Sequence, residues 1–309
     1  MSNNFKIKGD TLVSYGGNER VATVPDGVKI IKERAFDGCA DTEIINLPAS
    51  VEKIGEEAFW CCESLLSICV DAGNKNYADA DGVLYDKGFS LLVLYPFGRR
   101  ETQCRLPDGL IIIGHGAFGR NGRLREIIIP DGVIKIEAKA FKYCGSLNSL
   151  TIPDGVLEIG DEAFKYCGAL ESLLIPDSVL EIGGDAFKYC GALKSVVLPG
   201  SINIIGPAMF KYCGALEHIS IPGSVLEIGD SAFKYCGALR RAEIGSGTVA
   251  IKSSAFKYCS SLESLLIPES VTEIGGDAFK RCGSLNIRGA AGSYAEKYAH
   301  QHKFKFTGV

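Results

Sequence analysis

The chain has 309 residues, 46% hydrophobic and 23% charged, with 12 Cys and a formal net charge of −4. That apolar share is too high for disorder and large enough for a substantial core. A slightly acidic balance gives no specific nucleic-acid signal, and no apolar run approaches the roughly 18 residues of a membrane-spanning helix.

Taken from its start, the chain opens Met1-Ser2-Asn3-Asn4-Phe5-Lys6, with no charged segment leading into an apolar one, so no signal peptide is read here. The expectation is a cytoplasmic protein if Met1 is the native start, and a secreted or cell-surface protein if a leader is removed. Residues 1–24 read as an N-terminal cap. Phe5 to Ser14 alternates in polarity around Gly9-Asp10, a hairpin signal.

Residues 25–290 are repetitive. Phe stands at 118, 141, 164, 187, 210, 233, 256 and 279, every 23 residues, and Phe36 and Phe59 keep the same spacing. Ten units follow if each begins at Pro25, Pro48, Pro107, Pro130, Pro153, Pro176, Pro199, Pro222, Gly245 or Pro268. An insert at 71–106 separates the second from the third. Within it, Val83–Tyr85 and Leu91–Tyr95 flank Asp86-Lys87-Gly88, a second hairpin signal. Each unit carries two short runs rich in Ile, Leu and Val, which predict two strands. The stretch Asp161–Cys167 predicts a single helical or 3₁₀ turn, acidic at its start and ended by Gly168. One coil cannot bury its own apolar face, so the coils stack, and Ile, Phe and Leu form inward columns. The fold expected is a right-handed solenoid of parallel strands about 4.8 Å apart. Residues 291–309 read as a C-terminal cap: Ser293 caps a helix to about His302, with Tyr294, Ala295 and Tyr298 inward, and a strand follows at Lys303–Thr307. No polar linker divides these pieces, so all form one domain.

The pattern Pro-x-x-Val-x-x-Ile-Gly-x-x-Ala-Phe-x-x-Cys-x-x-Leu-x-x-Ile-x-Ile resembles the BspA-like leucine-rich repeat family, the 23-residue bacterial type. The insert from Asn74 to Pro96 and the segment Gly292–Ala299 resemble that family's hairpin insertion and C-terminal helix cap. The resemblance implies a leucine-rich-repeat solenoid with roles in adhesion or protein binding, and no catalytic residues.

Nine cysteines share one register of the repeat, at 39, 62, 144, 167, 190, 213, 236, 259 and 282, and Asn121 takes that place once. Disulfides between neighbouring coils are geometrically allowed, but seven consecutive coils leave an odd thiol. The Asn substitution points to a hydrogen-bonding role, so the preferred reading is a column of buried, reduced thiols. Zinc is disfavoured, because ligands on a straight ladder do not converge. Cys61 beside Cys62, and His300 with His302, are the only candidates for redox or metal chemistry, and both read better as ordinary structural residues. Gly114-x-Gly116-x-x-Gly119 matches a dinucleotide-loop pattern, yet Gly114 is the Gly of the repeat's Ile-Gly and no long helix follows. No catalytic, cofactor or metal residues are therefore assigned.

Function is sought on the outer surfaces. The favoured binding surface is the strand face carrying Glu171, Lys194, Glu217, Arg240 and Glu263, whose residues differ from coil to coil on a rigid platform. The second candidate is a ridge of Lys165, Lys188, Lys211 and Lys234 beside Tyr166, Tyr189, Tyr212 and Tyr235. Its affinity would be electrostatic and salt-dependent. The readings carried forward are a non-catalytic binding or scaffolding protein with a protein or glycan partner, a bacterial surface or secreted adhesin, and, less favoured, an enzyme or metal-dependent protein.

Overall fold

The computed structural model describes residues 4–309. The chain winds as a right-handed parallel β-solenoid. In the unit that starts at Pro153, the Val156 N–H donates to the Pro153 carbonyl and closes the first turn. The strand Glu158–Ile159 follows, then a run of turns, then the strand Ser172–Leu174. Successive coils pair in parallel at both strands, Ile159 opposite Ile182 and Leu173 opposite Val196. The period of 23 is thus a hydrogen-bonding register, and every inward side chain lies on its counterpart.

The turn expected over 161–167 is hydrogen-bonded from residue i+3 to residue i, as in Lys165 N–H to Glu162 O and Cys167 N–H to Phe164 O. It is not a helix. Glu162 and Tyr166 have φ of 56° and 66°, and the left-handed residue is Tyr166 rather than Gly168. The alternate N–H groups of Glu162, Phe164 and Tyr166 point instead to carbonyls of the next coil, at 2.8–2.9 Å. Coil-to-coil bonding therefore outweighs the local helical preference, since each left-handed bulky residue costs about 1–2 kcal/mol.

The Phe column runs as one stack from Phe118 to Phe279, with centroids 5.0–5.6 Å apart and every ring fully buried. Gly160 follows the inward Ile159 because a Cβ there would lie 2.4 Å from the Ala138 amide nitrogen of the preceding coil. The repeat cysteines are buried and unbridged. Each thiol from Cys144 to Cys282 donates to a Phe carbonyl one coil back, for example Cys167 Sγ to Phe141 O at 3.2 Å. Asn121 accepts the Leu124 N–H in the same corner.

The insert is more than a hairpin. Tyr77–Ala80, Val83–Asp86 and Leu91–Leu94 form an antiparallel meander, and the last strand joins the solenoid in parallel with Ile112–Ile113. Tyr95 stacks on Phe118 at 5.1 Å, and Gln103–Arg105 pairs with Glu126–Ile128, so the end of the insert is itself a coil. The insert also joins two hydrophobic cores. Strand alternation sends Val83 and Tyr85 into the large C-terminal core and Leu84 into the smaller N-terminal one. Leu92 and Leu94 part in the same way only because the register shifts between them, and Tyr95 and Phe97 follow the two cores beyond the strand. Buried Asn74 anchors its start. Nδ2 donates to the Pro48 and Val51 carbonyls, and Oδ1 accepts from the Asn76 and Tyr77 amides.

Both ends are covered. Phe5–Lys8 and Thr11–Tyr15 form the expected hairpin, and its second strand pairs with Ile30–Ile31. Ser293 caps the helix Tyr294–His302 by accepting the Glu296 N–H. Its buried face is Ala295, Tyr298 and Ala299, whereas Tyr294 is 40% exposed. At 3.6 residues per turn, Tyr294 lies about 90° from the centre of that face. The last strand is Lys305–Gly308, two residues later at its start than the sequence suggested, because Lys303 is the left-handed residue that ends the helix.

Two measurements check this packing. Phe187→Ala should lower the unfolding free energy by about 3–5 kcal/mol in urea titration, and Lys188→Ala by less than about 1 kcal/mol. Thiol labelling of native protein should modify exposed Cys69 first and leave the buried column untouched until denaturation, since burial pushes thiols such as Cys144 up to about 12. Rapid native labelling of Cys167 and Cys190 would contradict the inward register.

Candidate functional site

The favoured surface residues Glu171, Lys194, Glu217, Arg240 and Glu263 are all exposed. They lie one residue before their strands, which begin at Ser172, Ser195, His218, Arg241 and Ser264. They form a mixed-charge row beside the sheet, in which Lys194 Nζ bonds Glu171 Oε2 at 2.7 Å. The sheet's own outward residues are the next ones along. Ser172, Ser195, His218 and Arg241 make one row, and Leu174, Val197, Ser220, Glu243 and Leu266 make another. Leu174 and Val197 are 64% and 57% exposed. Strict alternation from buried Leu173 and Ile175 would have found this row, but the first residue of a three-residue strand is hard to fix from sequence.

A second outward row went unread. Ile111, Ile134, Leu157, Leu180, Leu226 and Val249 stand beside the short strands, each more than two-fifths exposed. Their signal was the position just after the inward residue, usually Val, that stands three before the inward Ile, as Leu157 follows Val156 ahead of Ile159.

The lysines of the ridge are half-buried rather than fully solvated. The Tyr rings from Tyr143 to Tyr258 stack face to face, with centroids 4.4–4.6 Å apart and planes within 9°. Arg120 closes one end, 5.8 Å from both the Tyr143 and Trp60 rings. Carboxylates lie between the lysines. Glu162 meets Lys142 and Lys165, Asp185 meets Lys165 and Lys188, and Asp277 meets Lys257 and Lys280, all within 3.3 Å. Burial would raise the carboxyl groups of Glu162 and Asp185, but these pairs outweigh it and hold both below their usual range.

The residues with possible chemistry do not assemble. Among the described residues no group of three or more His, Cys, Asp or Glu is placed to hold a metal ion. His302 stacks on Tyr298 and His300 lies edge-on to Phe306. Cys61 is half-buried, and burial raises its thiol. After Gly114 and Gly116 the chain continues in turns, with no helix to receive a phosphate.

One polar cluster was not anticipated. Where the insert interrupts the stack, a cleft of about 150 Å³ lies between Trp60, Val93, Phe97 and His115. Glu57, with only 4% of its side chain exposed, binds Lys139 at 2.7 Å and Arg34 at 2.8 Å, and His115 Nε2 lies 3.6 Å away. Burial would raise this carboxyl group, but the two cations hold it at about 2. A depressed carboxyl contributes stability that is complete above its unfolded value, roughly 4.3, and is lost as pH falls toward the folded value. The urea midpoint of the wild type should therefore fall from about pH 5 toward pH 2, and Glu57→Gln should flatten that limb. Equal acid sensitivity in both would assign the loss to other carboxylates.

Comparison with known proteins places this geometry in a family. The BspA type leucine rich repeat region matches in six copies, over residues 16–80, 100–217 and 180–289. A leucine-rich repeat protein of Eubacterium ventriosum superposes with a TM-score of 0.63 at 24% identity over 84% of this chain, which spans 64% of that protein's length. A leucine rich cell surface protein of Faecalibacterium prausnitzii gives a TM-score of 0.53 at 25% identity, covering 97% of this chain and 96% of its own. A leucine-rich repeat protein of Bacteroides ovatus gives 0.55 at 21% identity, covering 97% and 94%. A comparison with curated proteins finds no match. With the repeat matched along most of its length and the solenoid built on that register, the chain belongs to the BspA-type leucine-rich-repeat family.

Proposed function

We propose that this chain is a non-catalytic recognition solenoid of a bacterial cell surface, binding a protein or glycan along the outward face of its longer strands. The observation that carries the reading is a parallel sheet whose outward residues change in charge and polarity from coil to coil, while its inward residues, such as Leu173, Val196, Ile219, Ala242 and Leu265, all stay apolar. The exposed row Leu174, Val197 and Leu266 beside Glu171, Lys194, Glu217, Arg240 and Glu263 combines apolar contact with charged positions of both signs. Interfaces of that composition form an apolar centre with a polar rim. The surface location is supported by the Faecalibacterium relative, which is named as a cell surface protein.

The experiment has two arms. Protease treatment of intact cells should release fragments of the chain, and full protection would exclude display at the surface. The purified chain is then used to capture partners from cell-surface extracts and glycan arrays. Reversing the charges at Glu171, Lys194, Glu217 and Arg240 should weaken the captured complex at least about tenfold, or 1.4 kcal/mol. Unchanged binding would remove this face from the proposal.

A further inference from the structure

The carboxylates of the lysine ridge follow a rule that fails in one place. Each acid sits 20 residues after one lysine and three before the next. Glu162, Asp185 and Asp277 obey this register. Between them the same positions are Ala208, Ser231 and Ser254. Lys188 keeps Asp185 and Lys257 keeps Asp277, but Lys211 and Lys234 lose both neighbours and make no ion pair among the described residues. Asp230 is exposed one residue from Ser231 and pairs with neither. Both lysines remain half-buried, each with its ammonium 5.4–5.5 Å from the centre of a Tyr ring. The strain is visible at Lys211, where burial and the neighbouring Lys188 and Lys234 lower its basicity, whereas Lys165, with two carboxylates, is raised.

From this placement we infer that the stretch from Lys188 to Lys257 is a docking site for a carboxylate-rich segment of a partner protein, whose acidic side chains fill the three places at Ala208, Ser231 and Ser254. The inference rests on the recognition reading above and moves charged binding onto the second surface. Carboxylate is favoured because carboxylates occupy the equivalent places in the neighbouring coils. A stacked glycan is disfavoured, because every Tyr face between Tyr166 and Tyr258 is covered by the next ring and only edges face solvent. Spacing supports a helical segment. Coils repeat at about 4.8 Å, and acids three or four residues apart on a helix rise about 4.5–6 Å, against about 6.8 Å for alternate residues of a strand.

The test uses the full chain and a helical peptide of about 20 residues with Glu at i, i+3, i+4 and i+7, beside its Gln counterpart, at about 50 mM salt, where surface charges are weakly screened. The decisive variant fills the gap: Ala208→Asp with Ser231→Asp and Ser254→Asp. These positions have φ of 50–57°, and Asp185 and Asp277 already occupy the same conformation, so the variant keeps the fold. The Glu peptide should bind wild type and the Gln peptide should not, and the filled variant and Lys211→Gln with Lys234→Gln should each lose at least about tenfold in affinity for the Glu peptide. Charge reversal at Glu171, Lys194, Glu217 and Arg240 should leave this binding unchanged. Equal peptide binding by wild type and filled variant overturns the inference. So does absence of peptide binding, including the case in which heparin alone binds the ridge. If the peptide fails while a surface partner is still lost on sheet-face charge reversal, only this inference falls and the recognition reading stands.

Discussion

Everything in this molecule depends on coil-to-coil contact at a fixed spacing of 23 residues. No unit has a core of its own, because its inward Ile, Phe, Cys and Leu side chains are covered only by the same residues one coil away. The backbone obeys the same constraint. Both strands and the alternate amides of the turn run find their partners in neighbouring coils. A buried Phe contributes roughly 1.5–3 kcal/mol through the hydrophobic effect, and its stack ties that gain to register. The terminal hairpin and helix exist because the first and last coils would otherwise expose strand edges and core.

The constraint also explains what the surface can vary. Inward positions are locked to their columns, and a change in one coil is felt by two others. Outward positions touch only their immediate neighbours, so the long-strand face tolerates Ser, His and Arg in one register and Leu, Val, Ser and Glu in the other. The Lys–Tyr ridge lies between these limits. Its tyrosines are held in a left-handed backbone conformation and stabilised by stacking, and most of its lysines are held by carboxylates of the same or the next coil. A ladder built in this way makes a local omission conspicuous, as at Ala208, Ser231 and Ser254.

The columns were legible in the sequence because periodicity reports burial directly: Ile at one position, Phe at another and Cys at a third all proved inward. The hydrogen-bonding role of the Cys position was legible from the single Asn121 substitution. The left-handed Tyr166 was not, since local propensity places the stop at Gly168 and only the neighbouring coil's carbonyls move it. The first residue of each long strand was misread for a related reason: Glu171 and Ser172 look alike until pairing fixes the register. The coil hidden in the insert left one trace, Tyr95 standing 23 residues before Phe118, which lacks the usual Phe. The Glu57 cluster had no local signal, because its partner Lys139 is 82 residues away and meets it only across the interrupted stack.

The register itself can be tested by deletion. Removing residues 165–187, one full period, joins Phe164 to Lys188 and preserves every column, whereas removing 165–175 places strand residues against turn residues. Thermal unfolding followed by near-ultraviolet circular dichroism compares the two chains with wild type. The full-period deletion should unfold in a single cooperative transition within a few degrees of wild type, about 2–4 °C per kcal/mol lost, and the partial deletion should lack a cooperative transition. Similar behaviour of the two deletions, or loss of folding in the full-period chain, would contradict the claim that the 23-residue register holds the structure together.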